Sequence, residues 1–190
     1  MAASPDIIAT GDLTVRRMAD TAADYALLLR WLADERVLEW YEGRDAQVSE
    51  DWIRDTFSPR TLGVDRVVPC IFSVAGQPLG YLQYYPLQEA ELQEYALATG
   101  TPAYGVDLFI GEPEAWSKGT GTRLLRALLH FLFAELDAEI VTIDPQVGNV
   151  RAIRCYEKAG FARMRVLPQH EYHEGSWRDN LLMIARKPLR

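Results

Sequence analysis

The chain has few cysteines and no long apolar run, and both absences narrow its class. Cys70 and Cys155 are the only cysteines among 190 residues, too few for a disulfide framework and at no spacing typical of a zinc site. We therefore expect a reducing, cytoplasmic location. Residues 1–13 lack a basic segment followed by an apolar core, and charged side chains interrupt the most apolar stretch, 124–136. Neither a signal peptide nor a membrane span is expected.

One long segment lacks positive charge. Residues 67–116 contain no Lys or Arg and carry six acidic side chains, in a chain whose formal net charge is −7. The next residues, 117–134, contain Lys118, Arg123 and Arg126 and no acid. An acidic segment repels nucleic acid and attracts cations, whereas a basic segment suits an anion. The charge therefore favours a cationic ligand over nucleic acid, with a solvated acidic loop as an equally good explanation.

The composition is that of a folded domain. Hydrophobic residues make up 48% of the chain and aromatic residues 11%, and a chain of this length buries roughly 70% of its unfolded surface. No internal repeat, low-complexity tract or linker divides it. Residues 1–190 are therefore predicted to form a single domain. Separately, a monomer is expected, with a dimer as the alternative.

Hydrophobic spacing and turn residues predict the order β-α-α-β-β-β-α-β-α-β-β. Strands are predicted at 12–18, 104–111, 139–144, 161–167 and 181–187, with a hairpin over 66–87 that turns at 75–78. Helices are predicted from a cap at Thr21 to Leu32, from Ser49 to before Pro59, at 119–136 and at 151–159, where Gly160 ends the helix. Residues 88–103 are polar and acidic and are expected to form a long, functional loop.

A glycine turn follows the strand at 104–111. Residues 116–123 read Trp-Ser-Lys-Gly-Thr-Gly-Thr-Arg and open the longest helix. Gly119 and Gly121 let several N–H groups at the helix start face one anion, and the helix dipole adds roughly half a positive charge. The pattern is neither a P-loop nor a dinucleotide motif, since Leu124 stands where a third glycine would be. Taken alone, it is better explained as an ordinary strand-to-helix turn.

Residues 149–161, NVRAIRCYEKAGF, make the glycine turn more specific. A strand, a glycine turn and a helix precede a second helix that begins at Asn and ends in Gly-Phe, and this order resembles the GNAT superfamily of acetyl-CoA-dependent N-acetyltransferases. Within it, the chain resembles the aminoglycoside 6′-N-acetyltransferases, most closely the acetyltransferase half of the bifunctional acetyltransferase–phosphotransferase. The other matching stretches are 31–39, 104–107, 109–113 with 116–123, 143–145 and 167–175. The chain departs from the superfamily at Trp116, where Gln or Arg usually opens the turn.

The resemblance implies an α/β GNAT fold with a mixed, mostly antiparallel central sheet, splayed in the middle and flanked by helices. It implies transfer of the acetyl group of acetyl-CoA to the 6′-amine of an aminoglycoside, by direct attack in a ternary complex, which gives antibiotic resistance. A GNAT enzyme acting on another amine, such as a polyamine or a protein N-terminus, is one alternative. A non-catalytic module that binds drug or coenzyme A is the other.

The resemblance also implies substrate-side roles. Asp107 would orient the 6′-amine and accept the proton that an ammonium must lose before it attacks, and Asp144, which precedes Pro145, would bind a second amine. Without the resemblance they read as an edge-strand carboxylate and a turn residue. The other expected contacts are a mobile acidic flap of Glu89, Glu91 and Glu94 and an opposite wall of Glu39, Trp40 and Tyr41, with a core position as the alternative for Trp40.

On the cofactor side, the resemblance makes Tyr156 the acid that protonates the departing thiolate. This transfer is uphill, because the phenol has a pKa of ~10 and the thiol ~8.5, and a core aromatic is the alternative. The expected cofactor contacts are Leu108, Phe109 and Ile110 through their backbone, Trp116, Ser117, Lys118, Gly119, Thr120, Gly121 and Thr122 in the turn, Asn149 at the pantetheine arm, and Arg154 and Lys158 near the phosphates. Arg154 and Lys158 read equally well as solvent-facing charges.

Two further chemistries are disfavoured. His170 and His173 suggest a metal site, but their spacing is not that of HExxH and no cysteine or acid cluster completes one. No metal is therefore expected. Cys155 is the thiol nearest the predicted centre, yet no histidine is close to it in sequence, so direct attack is favoured over an acetyl-cysteine route.

Overall fold

A computed structural model describes residues 5–188. Its elements are β1 (Asp6–Thr10), β2 (Leu13–Arg17), α1 (Ala22–Leu32), α2 (Glu35–Leu38), α3 (Glu50–Thr61), β3 (Val68–Val74), β4 (Gln77–Pro86), α4 (Glu89–Glu94), β5 (Ala103–Ile110), α5 (Thr120–Glu135), β6 (Ile140–Ile143), α6 (Val150–Ala159), β7 (Ala162–His173) and β8 (Ser176–Arg186). The strand order is β1-β2-β3-β4-β5-β6-β8-β7. The predicted mixed, mostly antiparallel sheet flanked by helices is confirmed.

The described chain divides into two compact units. Unit 1 comprises residues 5–84 and 107–118, and unit 2 comprises residues 85–106 and 119–188. The prediction of a single domain over 1–190 stays a prediction. Within residues 5–188, none of the helices combines the length and the apolar composition that a membrane span requires.

The helices of unit 1 begin at polar caps. The side chain of Thr21 accepts a hydrogen bond from Asp24 N at 3.3 Å and starts α1, as predicted. The prediction that α3 ends before Pro59 is wrong, because the helix runs on to Thr61. Pro59 has no N–H to donate, but Leu62 N and Thr61 Oγ1 both donate to Ser58 O, at 3.0 and 2.9 Å. The last turn is therefore hydrogen-bonded around the proline.

Two elements of unit 1 were not predicted. β1 pairs with β2 around a tight turn in which Thr10 faces Leu13. α2 is a single turn that starts where Asp34 Oδ1 accepts a hydrogen bond from Arg36 N at 3.0 Å. β1 buries a single residue, Ile8, and α2 is one turn long, so neither shows an apolar period in the sequence.

The predicted hairpin of unit 1 is confirmed as β3 and β4. Val74 pairs with Gln77, and the two residues between them, Ala75 and Gly76, have φ values of 49° and 75°. Two left-handed residues match the twist of the flanking strands, as a two-residue hairpin turn requires. The hairpin places Tyr81 in a buried cluster with Phe57, Trp31 and Phe109.

In unit 2, the predicted loop over 88–103 contains a helix, so that prediction is wrong in part. α4 begins where Gln88 N donates to Glu91 Oε2 at 2.7 Å. Leu92 and Tyr95 are buried and pack in a cluster with Leu167 and other apolar residues. A six-residue helix carries too little periodicity to be predicted, and burial of two side chains fixes it in place.

The remaining elements of unit 2 start and end close to their predicted bounds, except the last two strands. β5 and β6 run parallel, and their register covers residues 103–105 with 140–142. β7 and β8 form a longer hairpin than predicted, turning at Glu174 and Gly175 with φ values of 48° and 74°. Residues 168–179, its outer half, include exposed Tyr172 and Trp177 and mostly polar side chains, so no apolar pattern marks this half in the sequence.

Candidate active site

Asp107 lies on β5 in unit 1 and is half-buried. Its Oδ2 accepts a hydrogen bond from Gln83 Nε2 at 2.7 Å. Gln83 is 8% exposed, and its Oε1 accepts from Tyr81 at 2.7 Å and from Arg60 Nη1 at 2.9 Å. Because arginine has donors and no acceptor, the amide oxygen must face Arg60 and the amide NH₂ must face Asp107. The orientation of the donor to Asp107 is therefore fixed.

The protonation of this network is set by burial. Burial raises the pKa values of Tyr41 and Tyr81 well above that of a free phenol, so both hydroxyls remain protonated. The pKa of Arg60 is raised on balance, although burial alone lowers it. Arg60 therefore remains a cation, and the network supplies donors that end on the Asp107 carboxylate.

Sequence analysis missed Gln83, Tyr81 and Arg60. Gln83 is the one polar residue in the buried run 81–84 of β4, and a polar side chain among apolar neighbours is the signal that it has a partner. Arg60 gives no such signal, because its place beside Gln83 depends on how α3 packs.

The predicted wall of residues 39–41 is partly core. The ring of Tyr41 packs edge-on against Phe109 at 4.7 Å and against Tyr81 at 6.2 Å. The charge of Asp107 contributes to the raised pKa of Tyr41, which links Tyr41 to the Asp107 network. Glu39 and Trp40 are half-buried, and their contact with substrate stays a prediction.

The end of β5 is secured by Trp116. Its Nε1 donates to Ile110 O at 2.8 Å, and its ring packs against the buried cluster of unit 1. Phe109 is buried, while Leu108 and Ile110 are half-buried. Trp116 therefore stabilises the end of the strand, so the residue at which the chain departs from the superfamily has a structural role. Ser117 and Lys118, which follow it, are exposed.

The start of α5 lies in unit 2 and suits an anion. Gly119 caps the helix in the left-handed region, at φ 83°, and no side chain caps the first N–H groups. A Cβ built on Gly119 meets nothing within 4 Å, so glycine is needed for its φ and the space in front is open. Thr120 is half-buried and Gly121 is buried in the first turn. The uncapped N–H groups of a 16-residue helix can bind a phosphate group.

α6 packs beside α5 in the same direction. Thr122 Oγ1 lies 3.4 Å from Cys155 Sγ, and Arg126 donates to Lys158 O at 2.6 Å. Asn149 caps α6 by accepting a hydrogen bond from Ala152 N at 3.1 Å. Its side chain therefore has a structural role besides the predicted pantetheine contact.

The three other predicted residues of α6 differ in exposure. Arg154 and Lys158 are exposed, which fits either a phosphate contact or a solvated charge. Tyr156 is 9% exposed, and its ring lies 6.3 Å from that of Phe161. The packing expected of a core aromatic is present, and the acid role of Tyr156 stays a prediction.

Asp144 follows β6 and has two partners in unit 2. Its Oδ2 lies 3.2 Å from His170 Nε2 and accepts a hydrogen bond from Asn180 Nδ2 at 3.3 Å. On the other side of the ring, His170 Nδ1 lies 3.2 Å from Glu94 Oε1. Of the predicted acidic flap, Glu94 therefore joins Asp144 through His170. Glu91 caps α4 instead, and Glu89 is exposed.

The pKa of His170 is raised, chiefly by its hydrogen bond to Asp144, while burial opposes the shift and the charges of Asp144, Glu94 and Glu171 add to it. The imidazolium ion pairs therefore stabilise the fold fully below the unfolded pKa and lose this contribution as the pH rises through the folded value. Sequence analysis weighed His170 as a metal ligand only. Within residues 5–188, no group of three or more His, Cys, Asp or Glu side chains is placed to hold a metal ion.

Comparison with known proteins identifies the family. The model of the acetyltransferase (GNAT) domain matches residues 20–168. The chain belongs to the GNAT acetyltransferase family. This GNAT acetyltransferase is 34% identical over 151 residues to the aminoglycoside N(6′)-acetyltransferase type 1 of Klebsiella pneumoniae, an alignment that covers 80% of this chain and 74% of the relative. The predicted resemblance to aminoglycoside 6′-N-acetyltransferases is confirmed.

Solved structures share the fold. The aminoglycoside acetyltransferase AAC(6′)-Ib in complex with ribostamycin and coenzyme A has a TM-score of 0.75 and 29% identity, covering 93% of this chain and 94% of that one. The spermidine N-acetyltransferase of Vibrio cholerae, in complex with CoA and spermine, has the same TM-score at 16% identity and covers 93% and 96%. The fold alone therefore does not distinguish an aminoglycoside from a polyamine substrate.

Proposed function

We propose that this GNAT acetyltransferase transfers the acetyl group of acetyl-CoA to the 6′-amine of aminoglycoside antibiotics and thereby gives resistance to them. The observation that carries the proposal is the 34% identity, over 80% of the chain, to an aminoglycoside N(6′)-acetyltransferase. A polyamine enzyme shares the fold at 16% identity, which favours the aminoglycoside. We further propose that the chain acts as a monomer in the cytoplasm.

The acidic side chains fit a polycationic substrate. Unit 1 presents Asp107, and unit 2 presents Asp144 and Glu94. Each carboxylate–ammonium contact provides about 4 kcal/mol of Coulomb energy at an effective dielectric of ~20, much of which desolvation removes. We propose that Glu39, Trp40 and Tyr41, and Glu89 and Glu91 with Glu94, complete the substrate contacts.

Asp107 is proposed to prepare the amine. An ammonium has no lone pair, so it must lose a proton before it attacks, and a carboxylate within hydrogen-bond reach can accept that proton directly or through a water. Gln83 donates to Asp107 Oδ2 at 2.7 Å, which stabilises the carboxylate and fixes its orientation. Gln83 is therefore a positioning residue for Asp107.

The cofactor side is proposed to use the helix starts of unit 2. Acetyl-CoA supplies the acetyl thioester and its phosphates. The uncapped N–H groups from Gly119 to Thr122 fit the pyrophosphate. The exposed cations Lys118, Arg154 and Lys158 are proposed to contact the cofactor as well. Asn149 is proposed to contact the pantetheine arm. The backbone N–H groups of residues 107–110 are proposed to polarise the thioester carbonyl, and Tyr156 is proposed to protonate the leaving thiolate.

Neither cysteine favours a covalent route. Cys70 is fully buried, and burial raises its pKa to about 12, so it forms no thiolate near neutral pH. Cys155 contacts the hydroxyl of Thr122 rather than a histidine. Direct attack of the amine on the thioester is therefore proposed.

Product analysis tests the proposal. Purified protein incubated with acetyl-CoA and kanamycin should yield kanamycin that is heavier by one acetyl group, carried on the 6′ nitrogen as located by NMR. Acetylation of a different nitrogen would contradict the proposed regiochemistry. Binding of both ligands with no product would indicate a module without catalytic activity.

A further inference from the structure

His170 contacts two carboxylates at once. Its Nδ1 lies 3.2 Å from Glu94 Oε1, and its Nε2 lies 3.2 Å from Asp144 Oδ2. A neutral imidazole has a single N–H, so one of the two contacts would then bring a ring lone pair against a carboxylate oxygen. In the imidazolium both ring nitrogens carry a proton, so an N–H group faces each carboxylate. The geometry therefore selects the cation, in agreement with the raised pKa of His170.

The charged groups around His170 come from four elements. They are Glu94 from α4, Asp144 from the end of β6, Arg165 and Glu171 on β7, and Arg178 and Asp179 on β8. Arg165 donates to the backbone carbonyl of Glu94 and leaves its carboxylate to His170. Arg178 pairs in register with Glu171. In the described part of the chain, His170 is the cation that contacts both Glu94 and Asp144.

Asn180 is the second partner of Asp144. Asn180 is 5% exposed, and its Nδ2 donates to Asp144 Oδ2 at 3.3 Å. Its Oδ1 is buried and has no hydrogen-bond partner within residues 5–188. A buried acceptor without a donor is costly. The side chain of Asp144 is 20% exposed, so its carboxylate is the acceptor here that a donor of positive charge can reach.

We propose that His170 is an internal cation that holds Glu94 and Asp144 in the ligand-free protein, and that an ammonium group of the substrate takes its place at Asp144, so that substrate binding releases the second proton of His170. The inference rests on the proposed function, because it requires a polycationic substrate at Asp144. The ammonium keeps its charge, and the imidazolium gives one proton to the solvent. The neutral ring retains the N–H that faces Glu94 and offers its Nε2 lone pair to the ammonium.

Because substrate binding and proton release from His170 are coupled, the protonation of His170 affects the affinity for the substrate. A protonated ring repels the arriving ammonium, so the apparent affinity falls as the pH falls through the titration of His170. Release of one proton per substrate bound corresponds to a change in affinity of about tenfold per pH unit at full coupling.

NMR of the imidazole side chains tests the inference directly. The chain has three histidines, and the variants His170→Gln and His130→Gln assign their signals. His130 is exposed on α5 and serves as the internal control. The wild-type protein is titrated with coenzyme A bound, then again with coenzyme A and kanamycin. We expect kanamycin to lower the titration midpoint of His170 by about one pH unit or more and to leave that of His130 in place.

Steady-state kinetics separate this role from a structural one. His170→Gln keeps a hydrogen-bonding side chain without the charge, so the KM for kanamycin should fall at about pH 6, by roughly tenfold, and lose most of its pH dependence. His170→Lys, a permanent cation, should raise KM at every pH. His130→Gln should match the wild type. A rise in KM for His170→Gln that is equal at every pH would show a structural role and overturn the inference.

The outcomes distinguish the inference from the proposed function. If kanamycin is bound and acetylated while the His170 midpoint stays in place or rises, the inference is wrong and the proposed function stands. If kanamycin does not bind, both are wrong.

Discussion

The substitution Gln83→Glu preserves the shape of the side chain that positions Asp107 and replaces its hydrogen-bond donor with a negatively charged acceptor. Gln83 Nε2 donates to Asp107 Oδ2 at 2.7 Å, and in the variant a carboxylate oxygen takes the place of the donor. Two unit charges at this distance repel by about 6 kcal/mol at an effective dielectric of ~20, a figure that solvent screening reduces. One of the two carboxylates therefore binds a proton near neutral pH.

Arg60 determines which carboxylate keeps its charge. Arg60 Nη1 and the Tyr81 hydroxyl lie 2.9 and 2.7 Å from Gln83 Oε1, and both would stabilise the introduced carboxylate as an anion. The proton therefore goes to Asp107, which then cannot accept the proton of the substrate amine. We expect kcat/KM for kanamycin to fall at least ~tenfold at pH 7 and to recover as the pH rises, with the acidic limb displaced upward by about one unit or more.

The assay is thiol release from acetyl-CoA between about pH 5.5 and 9, with circular dichroism to confirm folding. Gln83→Met is the matched control, because it removes the donor without adding charge. It should displace the acidic limb upward by clearly less than Gln83→Glu does, because it removes one hydrogen bond to the Asp107 carboxylate and brings no second negative charge to it. A folded Gln83→Glu variant whose acidic limb does not move would refute the reasoning that Gln83 controls Asp107.

Three further predictions concern single side chains. Asp107→Asn keeps the shape and removes the charge, so turnover of a 6′-amino drug should fall at least ~tenfold; undiminished turnover would remove Asp107 from the mechanism. Tyr156→Phe should lower kcat more than it changes drug affinity, since the phenol is proposed to act only on the leaving thiolate, and an affinity loss with unchanged kcat would show a packing role instead. Asp24→Ala breaks a buried pair with Arg16 whose nitrogen and oxygen atoms lie 2.6 Å apart, so urea denaturation should show a loss of about 3 kcal/mol. As a control, Arg163→Ala removes the exposed ion pair with Glu157 and should lower the free energy of unfolding by less than ~1 kcal/mol. Equal losses of stability in the two variants would contradict the larger contribution assigned to the Arg16–Asp24 pair.

The elements that could be predicted are those whose pattern repeats. The apolar face of α5 recurs along 16 residues, and Thr21, Asn149 and Gly160 mark helix ends that the structure confirms. β1, α2 and α4 were missed because each is six residues or shorter and carries no apolar repeat. The equally short strands β2 and β6 were predicted because β2 alternates apolar and polar residues and β6 is buried throughout. A short element is stabilised by the side chains that it buries, and those contacts are distant in sequence.

The candidate site shows the same limit. Asp107 and Asp144 could be predicted because both lie in short stretches of sequence that resemble the family, 104–107 and 143–145. Gln83, Arg60 and His170 act through contacts that span 24, 23 and 26 residues of sequence, and no local pattern reports such contacts. The mutual orientation of two hydrogen-bonding side chains follows from packing, so the donor role of Gln83 emerges only in the folded chain.

The most direct test of the account is thiol release from acetyl-CoA by the purified protein with kanamycin, with a kanamycin analogue that bears a hydroxyl at the 6′ position, and with spermidine. The account predicts release with kanamycin and none with the 6′-hydroxyl analogue, because that analogue lacks the acceptor amine. Release with spermidine alone would agree with the GNAT family and show that the substrate is a polyamine instead of an aminoglycoside. Equal release with kanamycin and its 6′-hydroxyl analogue would contradict the claim that the 6′-amine is the acetyl acceptor.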